Sequence, residues 1–351
     1  MPPRPPLPLL VLALVAAPVA AQQVAPGRDF TTLADGLPWY EPTNPLMQAR
    51  SGLAFIPYVP AKPGLQVAIY TDYASATEQV RFTAQNRNLL LVDGEFLRLG
   101  ARLTRDLSPR AFLLADVSVG GAYGGFLDGF LTWYHDLWGF PTPDRQRFQG
   151  GQFGFQVEPF GGGLVATAPT SGLHLNDVRL GAGWRLARGV QLVGSVTLPT
   201  SSAPTAAVAG PAAATAGTTA RVYSRGTVSV NATLTGRTAL TPRLLLEGSL
   251  GAGYTPATGA LAAYQATTFA SASAGGRWRF AGAFSAFTTF WWHSAPYRNT
   301  ALAPLDDTDL SIDVGFLVRP RRGPEWTFAL TEDLSPSGPA IDATFRVGAR
   351  F

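Results

Sequence analysis

From Leu65 to Phe351 the chain alternates apolar and polar positions with a period of two. At its end, Ile341, Ala343, Phe345, Val347, Ala349 and Phe351 fall on one face. Asp342, Thr344, Arg346, Gly348 and Arg350 fall on the other. The same alternation runs through Leu97–Leu103, Val178–Leu186, Val228–Leu234 and Leu310–Val318. Such a period marks β-strands whose two faces meet different surroundings. Twelve strands are predicted, at about 65–75, 95–106, 110–120, 174–187, 190–199, 222–235, 243–254, 266–280, 283–293, 309–319, 325–333 and 341–351. At ~9–15 residues they exceed the usual five or six of soluble sheets and suit tilted membrane crossings.

The connections alternate in length. Short turns fall at 107–109, 188–189, 236–242, 281–282 and 320–324, and long connections at 76–94, 121–173, 200–221, 255–265, 294–308 and 334–340. An up-and-down barrel with short periplasmic turns and long outer loops has this rhythm. An even strand number returns both barrel ends to the periplasmic side. Gln152–Val157 and Leu53–Val59 carry weaker strand patterns, and each would add a strand. A soluble sandwich needs no such alternation and would carry more charge on its polar faces. The predicted fold is therefore all-β, a transmembrane antiparallel up-and-down barrel of about twelve strands over 65–351.

Two segments precede it. Arg4, the apolar run Leu7–Val19 and the small residues Val19-Ala20-Ala21 read as a signal peptide over 1–21, too short to span a membrane. Residues 22–64 hold seven prolines and no sustained period, and read as an extended periplasmic lead-in.

Composition narrows the function classes. Charged residues make up 14% of the chain, against about 25% in soluble domains. Mean hydropathy is +0.11, yet no mature stretch reaches the ~18 apolar residues of a membrane helix. With no cysteine, disulfide frameworks, thiolate metal sites and thiol catalysis are excluded. The formal charge of +4 is spread over scattered arginines, with Lys62 the only lysine, so no nucleic-acid surface is expected. The histidines are His135, His174 and His293. None stands in a pattern that pairs it with a nucleophile, and no Gly-x-Ser-x-Gly is present, so no enzyme is expected. No cofactor or metal site is expected either. Asp306-Asp307-x-Asp309 reads as a solvated loop.

Within 121–173, a segment at about 125–140 changes period. Leu127, Phe130, Leu131, Tyr134, Leu137 and Trp138 recur every three or four residues, and Asp128, Thr132, His135 and Asp136 lie opposite. This predicts an amphipathic helix ended by Gly139 and Pro141, its apolar side extended by Phe126, Trp133 and Phe140. Such a helix would plug the lumen, cap the mouth, lie on the outer leaflet or dock a partner.

Gly125-Phe126-Leu127-Asp128-x-Phe130, followed by His135-Asp136-x-Trp138-Gly139-Phe140-Pro141, resembles a segment shared by an uncharacterised family of outer-membrane barrels, a domain of unknown function. Trp138 and Phe140 stand where that family has Phe and Leu. The resemblance implies fold and location and carries no activity.

With the apolar faces toward lipid, the lumen is expected to hold Arg98, Arg102, Arg179, Arg185, Arg225, Arg346 and Arg350 with Asp116, Glu247, Asp309, Asp313, Glu325 and Asp342. Signs this balanced suit a salt-bridge network in a partly closed lumen better than an ion path. Trp184, Tyr254, Trp278, Phe280, Trp291, Trp292, Trp326 and Phe328 are placed as interface aromatics. Phe345, Val347 and the final Phe351 read as an insertion signal for outer-membrane assembly machinery. The expected partners are the bilayer, that machinery and small solutes. The expected function is a narrow or gated solute channel, and the alternative is a structural or adhesion barrel that docks a partner through the helix.

Overall fold

The computed structural model describes residues 37–43, 45–48, 52, 54–82, 84, 87–139, 151–159, 161, 163–281, 283–320, 322–335 and 343–351. Residues 1–21, read from the sequence as a signal peptide, lie outside the described residues, as do Asp342 and Phe140–Pro141. So do the side chains of His135 and Trp138.

Twelve antiparallel staves close a barrel. They are β1 (Leu65–Phe82), β2 (Arg87–Asp106), β3 (Ala111–Tyr123), β6 (Ser171–Leu175) continued by β7 (Val178–Ala187), β8 (Val190–Leu198), β11 (Ser229–Thr241), β12 (Leu244–Tyr254), β13 (Thr268–Arg279), β14 (Phe284–His293), β15 (Asp309–Val318), β16 (Glu325–Asp333) and β17 (Ala343–Arg350). Each pairs with its neighbours, and β1 pairs with β17 from Ala68↔Arg350 to Ser75↔Ala343. Closure leaves no wall stave with an unpaired edge, which a sheet in hydrocarbon requires. The expected barrel of about twelve strands is the architecture observed.

Side chains follow the period. Ile69, Leu99, Leu113, Val117, Leu180, Leu192, Val230, Phe316 and Phe328 point outward and are exposed. Arg98, Asp116, Arg179, Glu247, Asp313 and Arg346 point inward and are buried. Trp184, Trp278, Phe284 and Trp326 lie exposed near the short turns, as an interface girdle does. Trp291 departs from that expectation. It is 4% exposed, because the register places it on the inward face beside His293.

The connection expected at 76–94 is mostly strand. β1 and β2 pair as far as Phe82↔Arg87 and project beyond the staves. There β2 pairs with β4 (Gly154–Val157), β4 with β5 (Val165–Thr167), β5 with β9 (Ala206–Ala209), and β9 with β10 (Thr219–Ala220). Leu90, Val92, Phe155, Val157, Leu164, Val208, Tyr297 and Leu305 form a shared core among these long connections. The polar residues of 76–94 hid this extension, which is held by the burial of Leu90 and Val92 rather than by local pattern. Gln152–Val157, read as a further strand, supplies β4 in this cap and no stave.

An outward Leu99→Arg is expected to destabilise the lipid-embedded protein by about 2–4 kcal/mol, read from urea unfolding in lipid vesicles. On a water-exposed barrel the same change would be near neutral.

Candidate functional site

The lumen is occupied by the chain's own N-terminal segment. Residues 37–43 run into the barrel from the short-turn end, a short helix α1 (Pro45–Gln48) turns beneath the outer cap, and 54–62 run back. Tyr40 and Phe55 exchange backbone hydrogen bonds of 3.3 and 2.7 Å across the two legs. Leu46 joins the core of the outer connections, while Leu37, Tyr40, Met47 and Phe55 pack against Phe269, Phe287, Trp291 and Leu317 of the wall. Ala54, Ile56 and Val59 pack against Phe112, Leu114 and Val193. The lead-in expected on the periplasmic side is thus, over its described part, an internal hairpin. Its prolines fit this place, because outside the Tyr40–Phe55 bridge polar wall groups satisfy its backbone at Ile56, Pro57, Tyr58, Val59 and Pro60.

Those polar groups are the inward charges. Glu41 sits between two arginines, 3.1 Å from Arg98 Nη1 and 3.3 Å from Arg179 Nη1. Arg98 also donates to Asp72 and to the Glu41 carbonyl. Arg346 bridges Asp72 and Asp313 at 2.8 and 2.9 Å. Glu325 joins Arg277 and Arg350. Arg102 pairs with Asp116 at 2.6 Å, and its guanidinium stacks on Tyr70 and Trp39. Arg185 donates to the Val59 and Pro60 carbonyls and to Asp106, and Gln191 donates to the Pro57 carbonyl. Glu247 accepts from Tyr58 N–H, and Gln191 from Val59 N–H. Unpaired charge in such an interior costs several kcal/mol per ion, so wall and hairpin satisfy each other.

Of the charges expected inside, Asp342 lies outside the described residues, and the described ones face the interior except Arg225. Arg225 precedes β11 and donates to the Thr255, Pro256 and Ala266 carbonyls of the outer connections. Of the histidines, His293 Nε2 lies 3.0 Å from Asp309 Oδ2, and His174 Nδ1 lies 3.3 Å from the Gly172 carbonyl. Among the described residues no group of three metal-binding side chains is found.

The aromatic helix, α2 (Asp128–Trp138), lies on the outside of the wall. Leu127 and Leu131 are buried against Ala343, Tyr73, Leu330 and Phe345, all on the outward face. Phe130 meets Phe345 edge-on at 5.7 Å, and Phe126 stacks on Tyr73 at 5.4 Å. Its N-terminus is tied by Glu95, an outward carboxylate that accepts from Leu127 N–H and, at 2.5 Å, from Tyr73 Oη. Gly125 has φ +75°, and a side chain there would collide with the Glu95 carboxyl. Asp128 accepts from Gly151 N–H at 3.2 Å. Phe126, Trp133 and Leu137 stay exposed. The segment read as plug or gate does not enter the lumen, because its apolar face finds an apolar wall outside.

Among the described residues, two cavities bear on the interior. One of about 120 Å³ lies at the short-turn end between both hairpin legs and β1, β2, β16 and β17. One of about 40 Å³ lies beside Glu41, Arg98, Asp177, Arg179 and Tyr223. Hairpin and first cavity are not legible in the sequence. Seven prolines without period gave no hint of burial, although Tyr40, Phe55, Ile56 and Tyr58 are more apolar than an exposed lead-in needs.

Taken together, the closed wall, the apolar exterior and the paired interior define an internally plugged β-barrel of the transmembrane class. The family described as a protein of unknown function (DUF3187) matches residues 63–351, and the chain belongs to it. That match begins at residue 63, so the described hairpin, 37–62, precedes it. No curated protein matches the chain. Among solved structures, an outer membrane channel from Pseudomonas putida F1 is similar at 12% identity and TM-score 0.48, over 83% of this chain and 95% of that one. The Pseudomonas putida toluene transporter TodX is similar at 8% and 0.40, over 83% and 89%. The KdgM porin is similar at 8% and 0.38, over 81% and 98%. Likenesses of this size transfer neither solute nor mechanism.

Glu41→Ala leaves Arg179 buried without its carboxylate. The expected cost is about 3 kcal/mol in urea unfolding, with faster proteolysis within 37–60 while the barrel remains folded.

Proposed function

We propose that this protein is an outer-membrane channel for small solutes whose lumen is gated by its own N-terminal hairpin. The observation that carries this reading is the hairpin itself. A barrel built only as a scaffold needs no removable insert, and a permanent filling is more simply made from wall side chains. Here the filling hangs on residues 63–64 and is held by side-chain pairs that can exchange one at a time. One internal cavity is lined by the Glu41 clamp itself and a larger one lies at the short-turn end, space that a stepwise path would use.

The apolar exterior and aromatic girdle support an outer-membrane location. Export through a cleaved signal at 1–21 fits that location. Phe345, Val347 and Phe351 lie on or at the end of the outward face of β17, where assembly machinery would read them. Phe351 N–H bonds to the Val67 carbonyl across the β1–β17 closure. A second reading rests on α2. Its exposed Phe126, Trp133 and Leu137 suit a structural or adhesion barrel that docks a membrane partner.

Conductance in planar bilayers separates the two. The intact chain is expected to show small, rare steps, and a chain lacking 37–60 is expected to conduct at least about tenfold more. Equal, negligible conductance from both would favour the structural reading. Equal conductance at a sizeable level would leave the channel and remove the hairpin as its gate.

A further inference from the structure

We infer that the cavity at the short-turn end of the lumen is a binding site for a small amphipathic carboxylate, an apolar body of about one ring bearing one anionic group. This deepens the channel reading and rests on it for its role in passage.

The size comes first. At about 120 Å³ the space is close to the ~150 Å³ apolar cavity that holds benzene. The body of the site is apolar, formed by Leu37, Pro57, Val59, Pro60 and Leu317 with the ring of Trp39. Glu325 and several hydroxyls also line it, but its unpartnered buried polar atoms all have one sense. Among the described residues lining it, Trp39 Nε1, Gln66 Nε2 and Arg346 Nη2 are buried nitrogens without a hydrogen-bond partner, and each is a donor. No lining residue has a buried acceptor in that condition. Leaving a buried donor unmade is costly, and three around one cavity favour a ligand that accepts.

Charge points the same way. Arg102, Arg346 and Arg350 line the cavity against the single carboxylate of Glu325. Each arginine has a carboxylate partner in the wall, yet the lining keeps a positive excess. The floor is cut small. A Cβ on Gly348 would meet Ile69 O at 3.4 Å and the Thr327 and Tyr70 Cβ atoms at 3.8 Å, ordinary contacts. Glycine is therefore not required there by the backbone, and its effect is to leave the space empty.

The test is calorimetric titration of the full chain in lipid nanodiscs with benzoate and, separately, benzylamine. Benzoate is expected to bind one per chain, at least about tenfold more tightly than benzylamine. Gly348→Leu, which fills the cavity, is expected to weaken benzoate at least about tenfold, and Gln66→Met about fivefold. Ala68→Leu fills the same space from β1 should Gly348→Leu not fold, as judged by heat-modifiable gel migration. No saturable benzoate binding, equal binding of benzylamine, or unchanged affinity in the filled variants would each overturn the site. Benzoate binding with no conductance from either the intact or the hairpin-deleted chain would uphold the site and sink the channel. Conductance without benzoate binding would do the reverse.

Discussion

The constraint on which the rest depends is that a closed barrel turns its polar strand faces inward, where wall and hairpin bury them. Charges placed there must find partners. The wall supplies most of them, as in Asp72–Arg346–Asp313 and Arg277–Glu325–Arg350. It does not supply all. Arg179 pairs with Glu41, and Arg185 and Gln191 direct donors to hairpin carbonyls at 57, 59 and 60. Barrel and hairpin therefore stabilise each other, and a route through the lumen has to exchange those bonds rather than simply vacate space.

The two ends of the barrel solve different problems. At the outer end the long connections build an apolar core that takes in Leu46 of α1. At the short-turn end the hairpin legs spread, and Ala68 and Gly348 keep the wall low, so a cavity survives. This asymmetry follows from what each end contains. Long connections carry apolar residues enough to pack on one another, whereas two- to six-residue turns do not.

On the outside the problem is reversed, because apolar groups there need a non-aqueous neighbour. The staves meet it with alternating Leu, Val and Phe, and α2 meets it by burying Leu127 and Leu131 on the wall while presenting Phe126, Trp133 and Leu137 outward. A carboxylate on this face, Glu95, is tolerated because a helix N-terminus and a tyrosine hydroxyl cover it.

The amino-acid sequence by itself determined the staves, their facing and their closure into a barrel, because a period of two is a local property that each strand states for itself. It placed Arg98, Arg102, Arg179, Arg346 and their carboxylates inside before any partner was known. It also marked α2 as a helix from its spacing of three and four. Only the tertiary structure decided which surface α2 covers, since an apolar helical face fits a lumen or an outer wall equally well in one dimension. Trp291 and Arg225 changed places for a like reason: one residue of register moves a side chain across the wall, and a strand that starts later leaves its predicted first residues in a connection. The hairpin was the least legible element. Its burial rests on Glu41 reaching Arg98 and Arg179, 57 and 138 residues away. Its prolines erase the period that would announce a strand, so contacts at that distance are recorded nowhere but in the folded barrel.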